Sequence, residues 1–189
     1  MFRFRRAAFL IVALAGFTAN GGAQTRVGAA IGVAAPVSDF GKVTNTGVNV
    51  EGNLEVRPST MPFALRADLF LSRFGLDEGQ TEENGSIRAF GAALNALFQV
   101  AGAGVTPYLL VGPTVTNIDI SVDGADDEPE VGTNFGAQVG GGIKLLLSGY
   151  VTRVELRVGQ VFSEDESIGV PDARWITVNV GMLFGGRGP

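Results

Sequence analysis

Read at a period of two, the chain breaks into segments in which apolar residues alternate with small or polar ones, as in strands with two unlike faces. In residues 47–57, Val48, Val50, Leu54 and Val56 share one face, and Asn49, Glu51, Asn53, Glu55 and Arg57 share the other. Residues 63–72 set Phe63, Leu65, Ala67, Leu69 and Leu71 against Ala64, Arg66, Asp68, Phe70 and Ser72. Residues 133–145 set Phe135, Ala137, Val139, Ile143 and Leu145 against Asn134, Gly136, Gln138, Gly140, Gly142 and Lys144. Residues 150–159 place Thr152, Val154, Leu156 and Val158 opposite Arg153, Glu155, Arg157 and Gly159. The last segment, 174–184, places Ile176, Val178, Val180, Met182 and Phe184 opposite Trp175, Thr177, Asn179, Gly181 and Leu183.

Three further segments complete the set. Residues 26–35 pair Val27, Ala29, Ile31 and Val33 with Gly28, Ala30, Gly32 and Ala34, which suits a strand against a crowded interior. In residues 107–116, Leu109, Val111 and Val115 alternate with Leu110, Gly112, Thr114 and Thr116, and either face could be the apolar one. Residues 88–99 carry Phe90, Leu94, Leu97 and Phe98, a spacing that also fits an amphipathic helix; Gly91, Gly102 and the flanking strands favour a strand.

The connections between these eight segments alternate in length. Those at 36–46, 74–86, 117–132 and 160–173 are long, and those at 58–62, 100–106 and 146–149 are short. Long and short loops then lie at opposite ends, which predicts an all-β, eight-stranded, antiparallel up-and-down barrel. Outer-membrane barrels have this asymmetry, with short periplasmic turns and longer external loops.

Composition changes the picture at the N-terminus. Arg3, Arg5 and Arg6 precede an apolar run from Ala7 to Phe17, and Gly21-Gly22-Ala23 offers a small-residue cleavage site, so residues 1–23 are expected to be a signal peptide and 24–189 the barrel domain. The run is too short to span a bilayer, which takes about 20 apolar residues. Removal of three Arg would take the formal charge from −5 to −8. There is no Cys, hence neither a disulfide framework nor a lipoprotein anchor. A closed hydrogen-bond network in lipid is an alternative source of stability.

Charge placement orients the two faces. Of 19 acidic residues, 15 fall in the long connections, and only Glu51, Glu55, Asp68 and Glu155 lie within strands, all on the polar face. That face also carries Arg66, Lys144, Arg153 and Arg157, with Arg57 and Arg88 towards the ends; the rest is mostly Gly, Ala, Asn, Ser and Thr. A Lys or Arg facing lipid at midplane costs about 2–4 kcal/mol, so the charged face is expected to line a lumen and the apolar face to meet outer-membrane lipid. Buried charges need partners, and Glu51, Glu55, Asp68, Arg66, Arg88, Lys144, Arg153, Glu155 and Arg157 form the expected lumen network. The soluble alternative, a lipocalin-like carrier, would need a more charged surface.

With these features in view, the mature chain resembles the small outer-membrane β-barrel family that includes OmpX-like and OmpW-like proteins and the OmpA transmembrane domain. The resemblance rests on Gly32-Val-Ala-Ala-Pro-Val-Ser-Asp-Phe40, Pro107-Tyr108, Gly136-Ala-Gln-Val-Gly-Gly-Gly142 and the alternating end at Phe184. It implies residence in the bacterial outer membrane and a C-terminal sorting signal read by the assembly machinery, here Val180, Met182 and Phe184. Gly185-Gly-Arg-Gly-Pro189 follows the aromatic residue in this chain.

No catalytic chemistry is expected. Outer-membrane barrels that modify lipid A use a His with Ser and a carboxylate or amide, and this chain has no His. No cofactor motif is found, and an acidic chain argues against nucleic acid. The acidic stretch Asp119 to Glu130 offers oxygens for weak divalent cation binding but lacks the EF-hand spacing. Two functions remain: a structural or surface-interaction barrel with a plugged lumen and acidic external loops, or a narrow channel for small or hydrophobic solutes, as the OmpW-like resemblance implies.

Overall fold

Alternation of unlike faces becomes a wall when each strand pairs with the next and the last returns to the first. The computed structural model describes residues 24–38, 40–76, 85–100, 102, 104–122, 132–147, 149–162 and 173–185. It contains β1 (Gln24–Val37), a helical turn α1 (Phe40–Val43), β2 (Gly47–Arg57), β3 (Ala64–Gly75), β4 (Gly85–Gln99), β5 (Val105–Val122), β6 (Gly132–Leu147), β7 (Tyr150–Phe162) and β8 (Arg174–Phe184). All neighbours are antiparallel, and β8 pairs with β1 from Val27↔Phe184 to Val37↔Arg174, closing an eight-stranded barrel. Closure leaves no sheet edge, so the ladder pairs backbone groups that lipid could not solvate.

The outward face is apolar. Leu109 is 67% exposed, Phe135 70% and Val139 56%, in a chain whose inward positions are mostly buried. Exposed apolar surface on this scale marks a lipid or partner interface. Outward aromatic residues lie near both ends: Phe90, Phe135 and Phe162 towards the long connections, Phe98, Tyr150 and Phe184 towards the short turns. Phe135 and Phe162 are cross-strand partners, and the Tyr150 and Phe184 rings meet edge-on at 6.3 Å. Paired girdles flanking an aliphatic band are the arrangement of membrane barrels.

Three expectations are sharpened or corrected. Residues 88–99 are strand, with Leu97 facing inward against Ala64, Tyr108 and Leu110 while Phe90 and Phe98 face out. Residues 107–116 turn Leu109, Val111 and Val115 outward and Leu110, Gly112, Thr114 and Thr116 inward. The long connections are shorter than expected, because β5 continues to Val122 and β7 to Phe162. Beyond the lipid, outward positions need not be apolar, so the alternation fades at Asn117 and Asp119 while the ladder continues to the Gly85↔Val122 pair.

The first connection also folds inward. Gly41 N donates to Ser38 O at 3.1 Å, Thr44 Oγ1 donates to the Phe40 carbonyl at 2.6 Å, and Asn45 N donates to Gly75 O at 2.8 Å. This anchoring places the Phe40 ring inside the mouth of the barrel, 1% exposed. At the other end, β6 and β7 are joined through Gly149 at φ 85°, a left-handed conformation that suits glycine in a tight hairpin turn. Residues 1–23, the acidic stretch Asp123 to Glu130 and the other long-connection carboxylates at 39, 77–83 and 164–172 lie outside the described residues.

Candidate functional site in the barrel lumen

Inward parity on β2, β3, β6 and β7 brings eight charged side chains together from distant parts of the chain. Arg66 occupies the centre. Its Nε lies 2.9 Å from Asp68 Oδ1, and its Nη1 and Nη2 donate to Glu155 Oε2 and Oε1 at 2.8 and 3.1 Å, a two-pronged fit of guanidinium to carboxylate. Glu155 also accepts from Arg157 Nε, and from the Tyr108 hydroxyl at 2.5 Å. Arg153 donates to Glu51. Arg157 Nη2 sits 2.6 Å from Glu51 Oε2 without hydrogen-bond alignment, so that contact is coulombic. Lys144 Nζ donates to both Glu55 oxygens, at 2.5 and 2.7 Å, and Gln99 Nε2 supports the same carboxylate at 3.2 Å.

The network is extended by neutral groups. Asn95 Nδ2 donates to Asp68 Oδ2 at 2.7 Å, and Gln138 Nε2 donates to Asn95 Oδ1 at 2.9 Å. A second chain runs from Ser72 Oγ to Asn49 Oδ1 and from Asn49 Nδ2 to Asn179 Oδ1, both at 2.8 Å. Room for these long side chains comes from the small residues facing them. A Cβ on Gly142 would lie 2.8 Å from the Tyr108 hydroxyl and 2.9 Å from its Cζ, so the glycine lets Tyr108 reach Glu155. Gly159 lies under the Trp175 ring, where an added Cβ would meet it at 3.6 Å, an ordinary packing contact.

Apolar clusters stand above and below the charges. Towards the long connections, Phe40, Phe74 and Trp175 pack as a triangle, with ring centroids 5.3 Å apart for the first pair and 6.3 Å for each of the others. Ile87, Ile118 and Val161 join them. Towards the short turns lies the cluster of Ala64, Leu97, Tyr108 and Leu110. Between Trp175 and the ion pairs there is a cavity of about 20 Å³ bordered by Asn49, Glu51, Gln138 and Arg157. That is space for one water among polar partners, on the usual requirement of roughly 10–15 Å³.

Of the residues expected in the network, Glu51, Glu55, Asp68, Arg66, Lys144, Arg153, Glu155 and Arg157 are buried together in the lumen. Arg88 is a correction. It is exposed and outward, because it shares parity with Phe90 and not with the inward Ala89. Arg57 is exposed at the end of β2. Arg26 is a buried lumen residue that the sequence reading missed, although its parity with Gly28 would have pointed inward. Tyr108, Asn95 and Gln99 were missed too, since neutral polar residues announce no charge partner. Val180, Met182 and Phe184, which the resemblance implies as a sorting signal, lie on the outward face of β8.

Comparison with known proteins agrees with this architecture. No curated protein matches the chain. Among solved structures, neisserial surface protein A is similar, with a TM-score of 0.61 and 17% identity over 87% of this chain and 99% of that one. A major outer membrane protein of Thermus thermophilus has a TM-score of 0.55 and 13% identity, covering 86% of this chain and 98% of that one. The outer membrane protein OprG of Pseudomonas aeruginosa has a TM-score of 0.53 and 12% identity, covering 88% and 99%. At these identities the likeness is one of fold. The family model described as the outer membrane protein beta-barrel domain matches residues 7–184, nearly the whole chain, and with the closed barrel and apolar outer wall it shows that this chain belongs to that family of bacterial outer-membrane proteins.

Proposed function

We propose that the protein acts as a closed outer-membrane barrel with a structural or surface-interaction role, its lumen plugged and its acidic long connections presented outside the cell. The observation that carries this reading is the pairing of all eight lumen charges on β2, β3, β6 and β7 beneath the Phe40–Phe74–Trp175 triangle, with a cavity of only about 20 Å³ between them. Eight strands leave an interior that side chains nearly fill. To conduct, the barrel would have to part several buried ion pairs, each leaving charges without compensation.

An enzymatic role is not part of the proposal. The chain supplies no His for a general base and no Cys nucleophile. In planar bilayers the purified protein should give no stable open pore. A steady conductance would overturn the plugged lumen and favour the narrow channel, and uptake of small hydrophobic solutes into vesicles would do the same.

A further inference from the structure

On the outer wall, the strand register lines up Val33, Val48, Arg73, Arg88 and Asp119, each the Cα partner of the next from β1 to β5. The adjacent row towards the membrane centre is Ile31, Val50, Leu71, Phe90 and Asn117. Arg73 and Arg88 therefore stand side by side where the apolar wall ends, on the long-connection side. Both are exposed and share the outward parity of Leu71 and Phe90.

Like charges directly opposite one another in an antiparallel pair repel. Among the described residues, no carboxylate lies within ion-pair distance of either guanidinium. Asp119 follows Arg88 in the row and offsets one of the two charges, so the row stays net positive. Beside Arg73 the wall is concave, with a groove of about 520 Å³ whose lining includes Val33, Val48, Arg73, Gly75 and Ser86. The groove borders Val33 and Val48 in the row of Arg73 and opens towards Thr46, Gly47, Gly85 and Ser86 on the long-connection side, while the apolar row Ile31, Val50, Leu71 and Phe90 begins next to the arginines on the membrane side. Cationic groups above an apolar wall are the polarity that an amphiphile with an anionic head matches.

We propose that Arg73 and Arg88 form a clamp for the phosphate of an outer-leaflet lipid whose acyl chains lie over Val50, Leu71 and Phe90. Two guanidinium forks match phosphate oxygens in shape as well as charge. A bound phosphate would relieve the repulsion that the register builds in. The apolar row directly beneath favours a lipid over free phosphate, which has no use for it.

Native mass spectrometry of the refolded full chain in non-ionic detergent tests the proposal, with bis-phosphorylated lipid A, its dephosphorylated form and inorganic phosphate as probes. Arg73→Gln with Arg88→Gln should weaken lipid A binding by roughly 30-fold, and either substitution alone by roughly fivefold. Arg57→Gln, the same charge change at the opposite mouth, should leave binding unchanged. Heat-modifiable gel mobility checks that each variant is folded, and if the double variant does not fold, the single variants carry the test. Undiminished binding by the folded variants would overturn the clamp. So would equal binding of dephosphorylated lipid A, displacement by millimolar inorganic phosphate, or an equal loss in Arg57→Gln.

Discussion

Glu155 receives Arg66, Arg157 and Tyr108 at once, and with Asp68 and Glu51 it ties three arginines into one buried cluster. Such a cluster is weak evidence of net stability, because desolvation opposes the coulombic gain, but removing one member leaves an uncompensated charge. Arg66→Met should therefore destabilise the barrel by about 3–5 kcal/mol, read as a lower denaturant midpoint for unfolding in lipid vesicles. An unchanged midpoint would mean that water reaches Asp68 and Glu155. At this scale the sequence was largely legible, since parity in segments 47–57, 63–72, 133–145 and 150–159 put eight of these charges on one face. Arg88 reads as a lumen charge by its sign alone, whereas its parity with Phe90 places it outward.

The elements differ in how much their own residues decide. β7 alternates so cleanly that its faces are fixed locally, and β2 does so as far as Glu55, beyond which Val56 is buried and Arg57 exposed, whereas β4 carries a pattern that a helix could also use. Its ladder to Ala64–Gly75 on one side and Val105–Val122 on the other makes it a strand and turns Leu97 inward. β5 extends to Val122, past the segment its alternation marks, because its last residues leave the lipid and lose the apolar code. β8 closes the barrel on β1 with Val180, Met182 and Phe184 outward. Phe184→Ala is expected to reduce the amount of protein recovered in outer-membrane fractions, since it removes the last outward aromatic and its contact with Tyr150. Undiminished levels would count against a sorting role for this strand.

For the whole molecule, closure is the decisive event. Eight paired strands with no free edge form one cooperative ladder, and unpairing any of them in lipid exposes backbone groups that nothing else satisfies. The unboiled protein should accordingly migrate faster than the boiled form in detergent gels, and identical mobilities would argue against a closed barrel. The sequence by itself determined the alternation of long and short connections and the two faces of most strands, though not the outward face of β5 or the strand character of β4, because a period of two is a property of the extended chain and needs no neighbour. Only the tertiary structure decided which charges meet, that Phe40 turns back into the mouth, and that Arg73 stands beside Arg88. Lys144 reaches Glu55 across 89 positions of sequence and Arg153 reaches Glu51 across 102, and such partners are set by strand register and ring closure, which no local pattern encodes.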